Sequence, residues 1–295
     1  MKFKEEWDEL CAIYCDDEDR FEQIGTGVFL NLCNNIYLFT ASHVIDELYK
    51  SKTAKLLIPT KDGFDSITGT LYHRHLSKNE NRKDDKIDVS FYRLGQEIVD
   101  GIHKNFKPLT ENNIEISDSF VSDIDQTYEL IHPKKALKKM KNLYQDIEQN
   151  AKETIKFIND FKVKTTITFA GYPNGKSKVK DSIYSSEIVY YHGKRVEKER
   201  YKSLNYELQT NILAEFGKKG VNDANFNLQN FPKPNGISGG GIYRLVQTDD
   251  GLDRKLIGIG HTYKSKQHLF IGTNIKFCID VLKNIIENER KGKLK

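Results

Sequence analysis

The chain has 295 residues, 38% of them hydrophobic and 30% charged, with 20 glycines and 6 prolines. That composition excludes collagen-like and low-complexity chains and fits one large globular domain or two small ones. The formal charge of +4, from 46 basic and 42 acidic side chains, is small for this length, and a nucleic-acid binder is not predicted from it.

The opening MKFKEEWDEL holds no apolar run of signal-peptide length, and no stretch of 18 apolar residues occurs. The expectation is a cytoplasmic protein with no membrane contact and reduced thiols. The four cysteines, Cys11, Cys15, Cys33 and Cys278, fit no zinc-binding spacing.

Trp7, Leu10, Cys11 and Tyr14 recur at helical spacing, so residues 1–20 read as an amphipathic helical extension. From Phe21 the texture changes. GTGVFLNL and NIYLFTA flank Cys33-Asn34 and read as a β-hairpin. KLLIP, SITGTLYHR and DVSFYRL read as short strands. His73 and His75 alternate on the second of these. A solvated strand face is the plainer reading; a metal pair would need a third ligand, which the sequence does not offer.

Over 133–161, Leu137, Met140, Tyr144, Ile147, Ala151, Ile155 and Ile158 recur every three or four residues. This predicts a helix, with Pro133 at its start. Lys134, Lys135, Lys138, Lys139 and Lys141 crowd its first turns against the helix dipole. They read either as a solvated face or as a docking site for a regulatory protein. Strand texture returns at TTITFAGYP, SIYSSEIVYYHG, NYELQTN, GGIYRLV, RKLIGIGHTY and QHLFIGTNI. KFCIDVLKNIIENER reads as a closing helix, with a basic tail over 286–295. Many short strands with turns between them imply barrels or sandwiches.

Three segments carry chemistry, in this order: Gly25-Thr26-Gly27-Val28-Phe29-Leu30 followed by Tyr37-Leu38-Phe39-Thr40-Ala41-Ser42-His43-Val44-Ile45; Asp88-Val89-Ser90-Phe91-Tyr92-Arg93-Leu94; and Asn235-Gly236-Ile237-Ser238-Gly239-Gly240-Gly241-Ile242-Tyr243. A serine hydroxyl needs a base, and histidine suits that task near neutral pH. The base needs a buried carboxylate to fix its tautomer. A developing oxyanion needs backbone N–H donors, which a glycine-flanked turn can aim. Asp84 and Asp85 are rivals for the carboxylate, but only Asp88 leads directly into an apolar strand. Gly236–Gly240 also satisfies the G-x-S-x-G elbow of α/β-hydrolases. That fold would need Asp253 with His261 or His268 after the serine, and repeated βα units before it, which the chain lacks.

The ordered set resembles the trypsin-like serine proteases, in their bacterial-type peptidase domains. FTASHV is similar to their L-T-A-A-H segment, Asp88-Val89 to the start of their aspartate strand, and Gly236–Gly240 to their G-x-S-G-G loop. Gly171-Tyr172-Pro173, Leu256–Gly260 and Ile271–Ile275 resemble later landmarks, so the likeness spans residues 21–285. It implies two six-stranded antiparallel β-barrels with the active site between them, and an endopeptidase acting on protein or peptide substrates without cofactor or metal. The triad would be His43, Asp88 and Ser238, with Gly236, Ile237 and Ser238 around the oxyanion hole. The interval from Asp88 to Ser238 is long for the family, which places the 133–161 helix as an insertion. Ile237 stands where zymogen-activated members carry an aspartate, so activation by N-terminal cleavage is not expected. The implied substrate pocket is Pro232, Lys233, His261 and Tyr263. With no aspartate before the loop, an acidic or amide side chain fits better than a basic one. His261 lies about one residue away from the position where glutamyl-specific and viral members place a histidine. The other reading is a protease fold kept for recognition, its site silent or controlled by a partner.

Overall fold

The computed structural model describes residues 7–18, 20–77, 80–116, 167–180, 183–216, 219–221, 228–230, 232–248 and 251–292. The helix expected over 133–161, with its lysine cluster, lies outside them.

The N-terminal half forms β1 (Leu10–Asp17), β2 (Arg20–Leu32) and β3 (Asn35–Thr40), then a one-turn helix α1 (Ser42–Ile45) that runs into a 3₁₀ turn at Asp46–Tyr49. After these come β4 (Lys55–Thr60), β5 (Gly63–Ser66), β6 (Gly69–Tyr72), β7 (Ser90–Leu94) and a helix α2 (Gln96–Asn105). The strands make one antiparallel sheet in the order β5-β4-β1-β2-β3-β7-β6. Its two edges are a single bent segment. Ile67 N–H donates to Leu56 O (2.9 Å) beside β4, and Gly95 N–H donates to Thr68 O (3.0 Å) beside β7. The segment 63–72 thus pairs with β4 through its first half and with β7 through its second, curling the sheet into a barrel. The edge strands β5 and β6 are short, four residues each, which limits the exposed edge.

Residues 10–17 are strand, not the helix that their spacing predicts. The reason is burial on both faces. Cys11 and Ile13 point into the first barrel, Leu10 into the layer between the barrels, and Ala12 and Tyr14 pack with Leu57. A run of six buried residues has no polar face to expose, and β1 sits between β2 and β4.

The expected hairpin forms with the register Leu32↔Asn35. Cys33 (φ 50°) and Asn34 (φ 60°) fill its two-residue turn, both left-handed as a twist-matched hairpin turn requires. Along β2, Val28, Leu30 and Leu32 face the inter-barrel layer while Phe29 faces the first barrel core. Along β3, Tyr37 and Phe39 oppose Ile36 and Leu38 in the same way. Two-sided burial explains why GVFL and IYLF read as unbroken apolar runs.

The C-terminal half holds β8 (Ile167–Gly171), a small hairpin β9 (Ser177–Lys180) and β10 (Ile183–Ser186), β11 (Val189–Arg195), a short helix α3 (Lys198–Ser203) and β12 (Asn211–Phe216). Next come β13 (Lys219–Val221) and β14 (Leu228–Asn230), then β15 (Gly241–Thr248), β16 (Gly251–Lys264), β17 (Leu269–Asn274) and a closing helix α4 (Ile275–Arg290). Six of the strands close an antiparallel barrel in the order β11-β12-β17-β16-β15-β8. The fold is therefore mainly β, with two barrels, as the sequence implies. Two boundaries differ. NYELQTN is turn up to Thr210, with Asn205 at φ 56°, and the strand starts at Asn211. Helix α4 continues through Ile286 to Arg290, so half of the expected tail is helix, and Ile285 and Ile286 pack on the core.

The barrels meet across a shared apolar layer: Leu10, Val28, Leu30, Tyr37, Phe39 and Phe91 from the first, Ala170, Tyr243, Leu256 and Ile259 from the second, with Ile275, Cys278, Ile279 and Leu282 of α4. One buried ion pair crosses it. Glu9 accepts from Arg254 Nη2 (2.9 Å) and from Tyr243 Oη (2.8 Å), and the Trp7 ring covers the guanidinium at 3.9 Å. Burial pushes the Glu9 carboxyl up, against the pull of Arg254. All four cysteines are unpaired, and only Cys33 is exposed. No helix among the described residues is long and apolar enough to cross a membrane.

Candidate active site

Helix α1 starts directly after β3, and β7 pairs beside β3 with Thr40 opposite Ser90. This register sets Asp88, two residues before Ser90, next to His43. The ring Nδ1 of His43 lies 2.6 Å from Asp88 Oδ2, and the His43 backbone N–H donates to Asp88 Oδ1 at 3.0 Å. Ser42 N–H donates to Asp88 O (3.3 Å). Asp88 is 2% exposed, while the His43 side chain is 37% exposed, so the ring has a buried edge and an open one. Burial alone would raise the Asp88 carboxyl. The hydrogen bond from the His43 ring, the charges of His261 and His43, and the His43 backbone N–H outweigh it and hold the group below its ordinary value. Asp88 is thus an anion that accepts the Nδ1 proton and leaves Nε2 as the basic nitrogen. Asp84 and Asp85 lie elsewhere: Asp85 pairs with Arg82 (2.8 Å) and Arg74 (3.2 Å).

The second barrel supplies the loop that carries Ser238. Gly236 (φ 86°) and Gly239 (φ 90°) turn the chain sharply on either side of it. A side chain at Gly236 would collide with Asn174, and one at Gly239 with Thr26 O and Thr40 Oγ1, so both positions need glycine. The loop is clamped from both sides. Gly239 N–H donates to Gly260 O (2.7 Å), and Gly240 N–H to Ile237 O (2.9 Å). Ile237 is an apolar anchor, buried with Phe169 and Ile242 in the second barrel core, and its N–H is turned to Pro234 O at 3.4 Å. That leaves Gly236 and Ser238: among the described residues, neither N–H donates to a protein acceptor. A tight glycine turn with two adjacent unengaged N–H groups is suited to an anion.

Thr26, inside the Gly25-Thr26-Gly27 stretch, joins the halves, a role that its sequence pattern does not name. Thr26 is fully buried on β2. Its N–H donates to Ser238 O (2.8 Å), its Oγ1 donates to Gly236 O (3.1 Å) and accepts from Tyr172 N–H (2.9 Å), and its carbonyl accepts from Thr40 Oγ1 (2.7 Å). Thr26 thus ties the serine loop and Gly171-Tyr172-Pro173 to the end of β3, just before the helix that carries His43. The only sequence signal was its place between Gly25 and Gly27. Gly25 lies where Val44 and Ser238 O both close in.

Ser238 Oγ donates to His261 O at 3.1 Å, and no hydrogen bond joins it to His43 among the described residues. His261 itself is 4% exposed and sits at a β-bulge, where the β16–β17 register shifts between Gly260 and Thr262. Its Nδ1 contacts Thr262 Oγ1 (3.0 Å), and its Nε2 is buried without a hydrogen-bond partner. Burial, with the His43 charge, lowers its pKa to about 4 against the opposing pull of Asp88 and Asp85, so the ring is neutral at pH 7. Of the other expected pocket residues, Pro232 accepts from Tyr191 Oη at its carbonyl (3.0 Å) and Lys233 is exposed. Tyr263 packs on Phe270 (4.5 Å) and contacts His268 Nδ1 (3.3 Å). The His73 side chain is buried rather than solvated while His75 is exposed, and both follow β6 rather than lying in it. No metal-binding cluster of three or more His, Cys, Asp or Glu occurs among the described residues.

No family model matches the chain, and no curated protein matches it. Among solved structures, the crystal structure of tobacco vein mottling virus protease is similar, with 8% identity and a TM-score of 0.39 over 93% of this chain and 82% of that one.

Proposed function

We propose that the protein is a serine endopeptidase with Ser238 as nucleophile, His43 as base and Asp88 as the orienting carboxylate. The observation that carries this reading is the buried Asp88 holding His43 Nδ1 while the loop bearing Ser238 presents two unengaged N–H groups. In the reaction, His43 Nε2 takes the Ser238 hydroxyl proton as Oγ attacks the peptide carbonyl. The tetrahedral oxyanion is held by the N–H groups of Gly236 and Ser238. His43 then protonates the leaving amine, and water repeats the sequence on the acyl-enzyme. Asp88 stays ionised throughout and stabilises the imidazolium. His261, with a neutral ring and an unpartnered Nε2, is the pocket residue suited to an acidic or amide side chain.

One observation favours a second reading. The Ser238 hydroxyl rests on His261 O, so attack requires it to leave that carbonyl for His43. A protein held in this state would be a recognition module until a partner released it. Turnover of a mixed peptide library by the purified chain, absent in folded Ser238→Ala, is the expected result. Equal turnover by Ser238→Ala would refute the assignment, and binding without turnover would favour the silent module.

A further inference from the structure

Behind the His43–Asp88 pair runs a second buried chain of polar side chains. His73 Nε2 lies 3.1 Å from Asp46 Oδ1, and its Nδ1 lies 2.7 Å from Ser90 Oγ. Ser90 Oγ is in turn 2.7 Å from Ser42 Oγ. Ser42 and Ser90 are fully buried, and the His73 side chain is 2% exposed. One assignment of protons satisfies the links to Ser90, Ser42 and Asp46: Ser42 donates to Ser90, Ser90 to His73 Nδ1, and His73 Nε2–H to Asp46, with Arg82 Nη2 a longer neighbour of Nε2 at 3.4 Å. Arg82 fixes the far end with a two-pronged contact to Asp46 (2.8 and 3.0 Å), and it also reaches Asp85. The Tyr49 ring stacks on His73 at 5.6 Å.

The placement of these groups matters more than their number. Ser42 precedes His43, Asp46 follows it by three residues, and Ser90 follows Asp88 by two. The chain therefore holds α1 at both ends and ties it to the start of β7. Hydroxyls could be absent from both serine positions without loss of packing, yet here they are buried and satisfied. Buried polar groups that are all satisfied fix one arrangement against its alternatives.

We infer that His73 is a positioning residue, acting through Ser90 and Ser42 to hold His43 in register with Asp88; this rests on the reading of that pair as catalytic. The test uses the full chain and follows the far-downfield proton resonance of His43 Nδ1–H, assigned by its loss in His43→Gln. Ser90→Ala removes one oxygen and cuts the chain. Exchange of that proton with solvent should quicken at least about tenfold, and kcat should fall about tenfold with KM within about twofold, because small misplacement of a base is costly. His73→Ala should behave like Ser90→Ala. His73→Asn, which restores an acceptor for Ser90, should recover most of the loss. Unchanged exchange in folded Ser90→Ala, or no such resonance in the wild-type chain, would overturn the inference. If the wild-type chain shows no turnover, the peptidase reading fails, and the exchange comparison still decides the role of His73.

Discussion

Thr26→Val tests the joint between the barrels. Valine keeps the shape of threonine, so almost no cavity forms and the loss is one of hydrogen bonding. Two bonds vanish, from Oγ1 to Gly236 O (3.1 Å) and from Tyr172 N–H to Oγ1 (2.9 Å). Each is worth about 1 kcal/mol net, and an N–H left without an acceptor costs about 1–3 kcal/mol more when buried. Tyr172 is half-buried, which places the expected total at about 2–3 kcal/mol. The backbone bond from Thr26 N–H to Ser238 O survives, so the fold should persist with a looser serine loop. Equilibrium urea denaturation at pH 7 measures this as a lower midpoint with unchanged slope. Thr26→Ser keeps the hydroxyl and should lose only about 1 kcal/mol, for the missing methyl. A loss under about 0.5 kcal/mol for Thr26→Val, or the reverse order of the two variants, would show that the hydroxyl does not join the halves.

Arg254→Ala leaves Glu9 as an unpaired buried carboxylate and should cost about 3–5 kcal/mol at pH 7 by denaturation. The Glu9 pKa is already raised by burial and would rise further, so this deficit should shrink as pH falls toward 5; a deficit independent of pH would contradict the account. His261 has its folded pKa depressed to about 4 from 6.5. The unfolded chain therefore binds the extra proton in that window, and stability should fall with pH between about 6.5 and 4, by up to about 3 kcal/mol from this group. His261→Gln should be less sensitive to acid than the wild-type chain over the same window; equal slopes would refute the assignment.

The legible parts of the proposed site were those whose chemistry dictates residue type. His43 after a strand, Asp88 leading into an apolar strand and Ser238 in a glycine turn stand out as sequence pattern because each proposed role tolerates few side chains. The barrels were legible from apolar runs such as GVFL, which signal strands buried on both faces. The same signal misled at Leu10–Cys15, where apolar residues on every position include some at helical spacing by chance. Helix α2 escaped notice because only Ile98 and Ile102 of its ten residues are buried. The buried network was invisible for another reason. Ser42 and Ser90 meet only because β3 and β7 pair in one register, and no property of either residue reveals that contact. Thr26 likewise acts through partners more than 140 positions away.

The most direct measurement of the central claim is covalent labelling of the full-length chain with a fluorophosphonate probe, with the labelled residue mapped by mass spectrometry. The account predicts one modified residue, Ser238, and labelling slowed by orders of magnitude in His43→Ala, because the hydroxyl is a weak nucleophile without its base. No label on Ser238 in the folded chain, or equal labelling in His43→Ala, would contradict it.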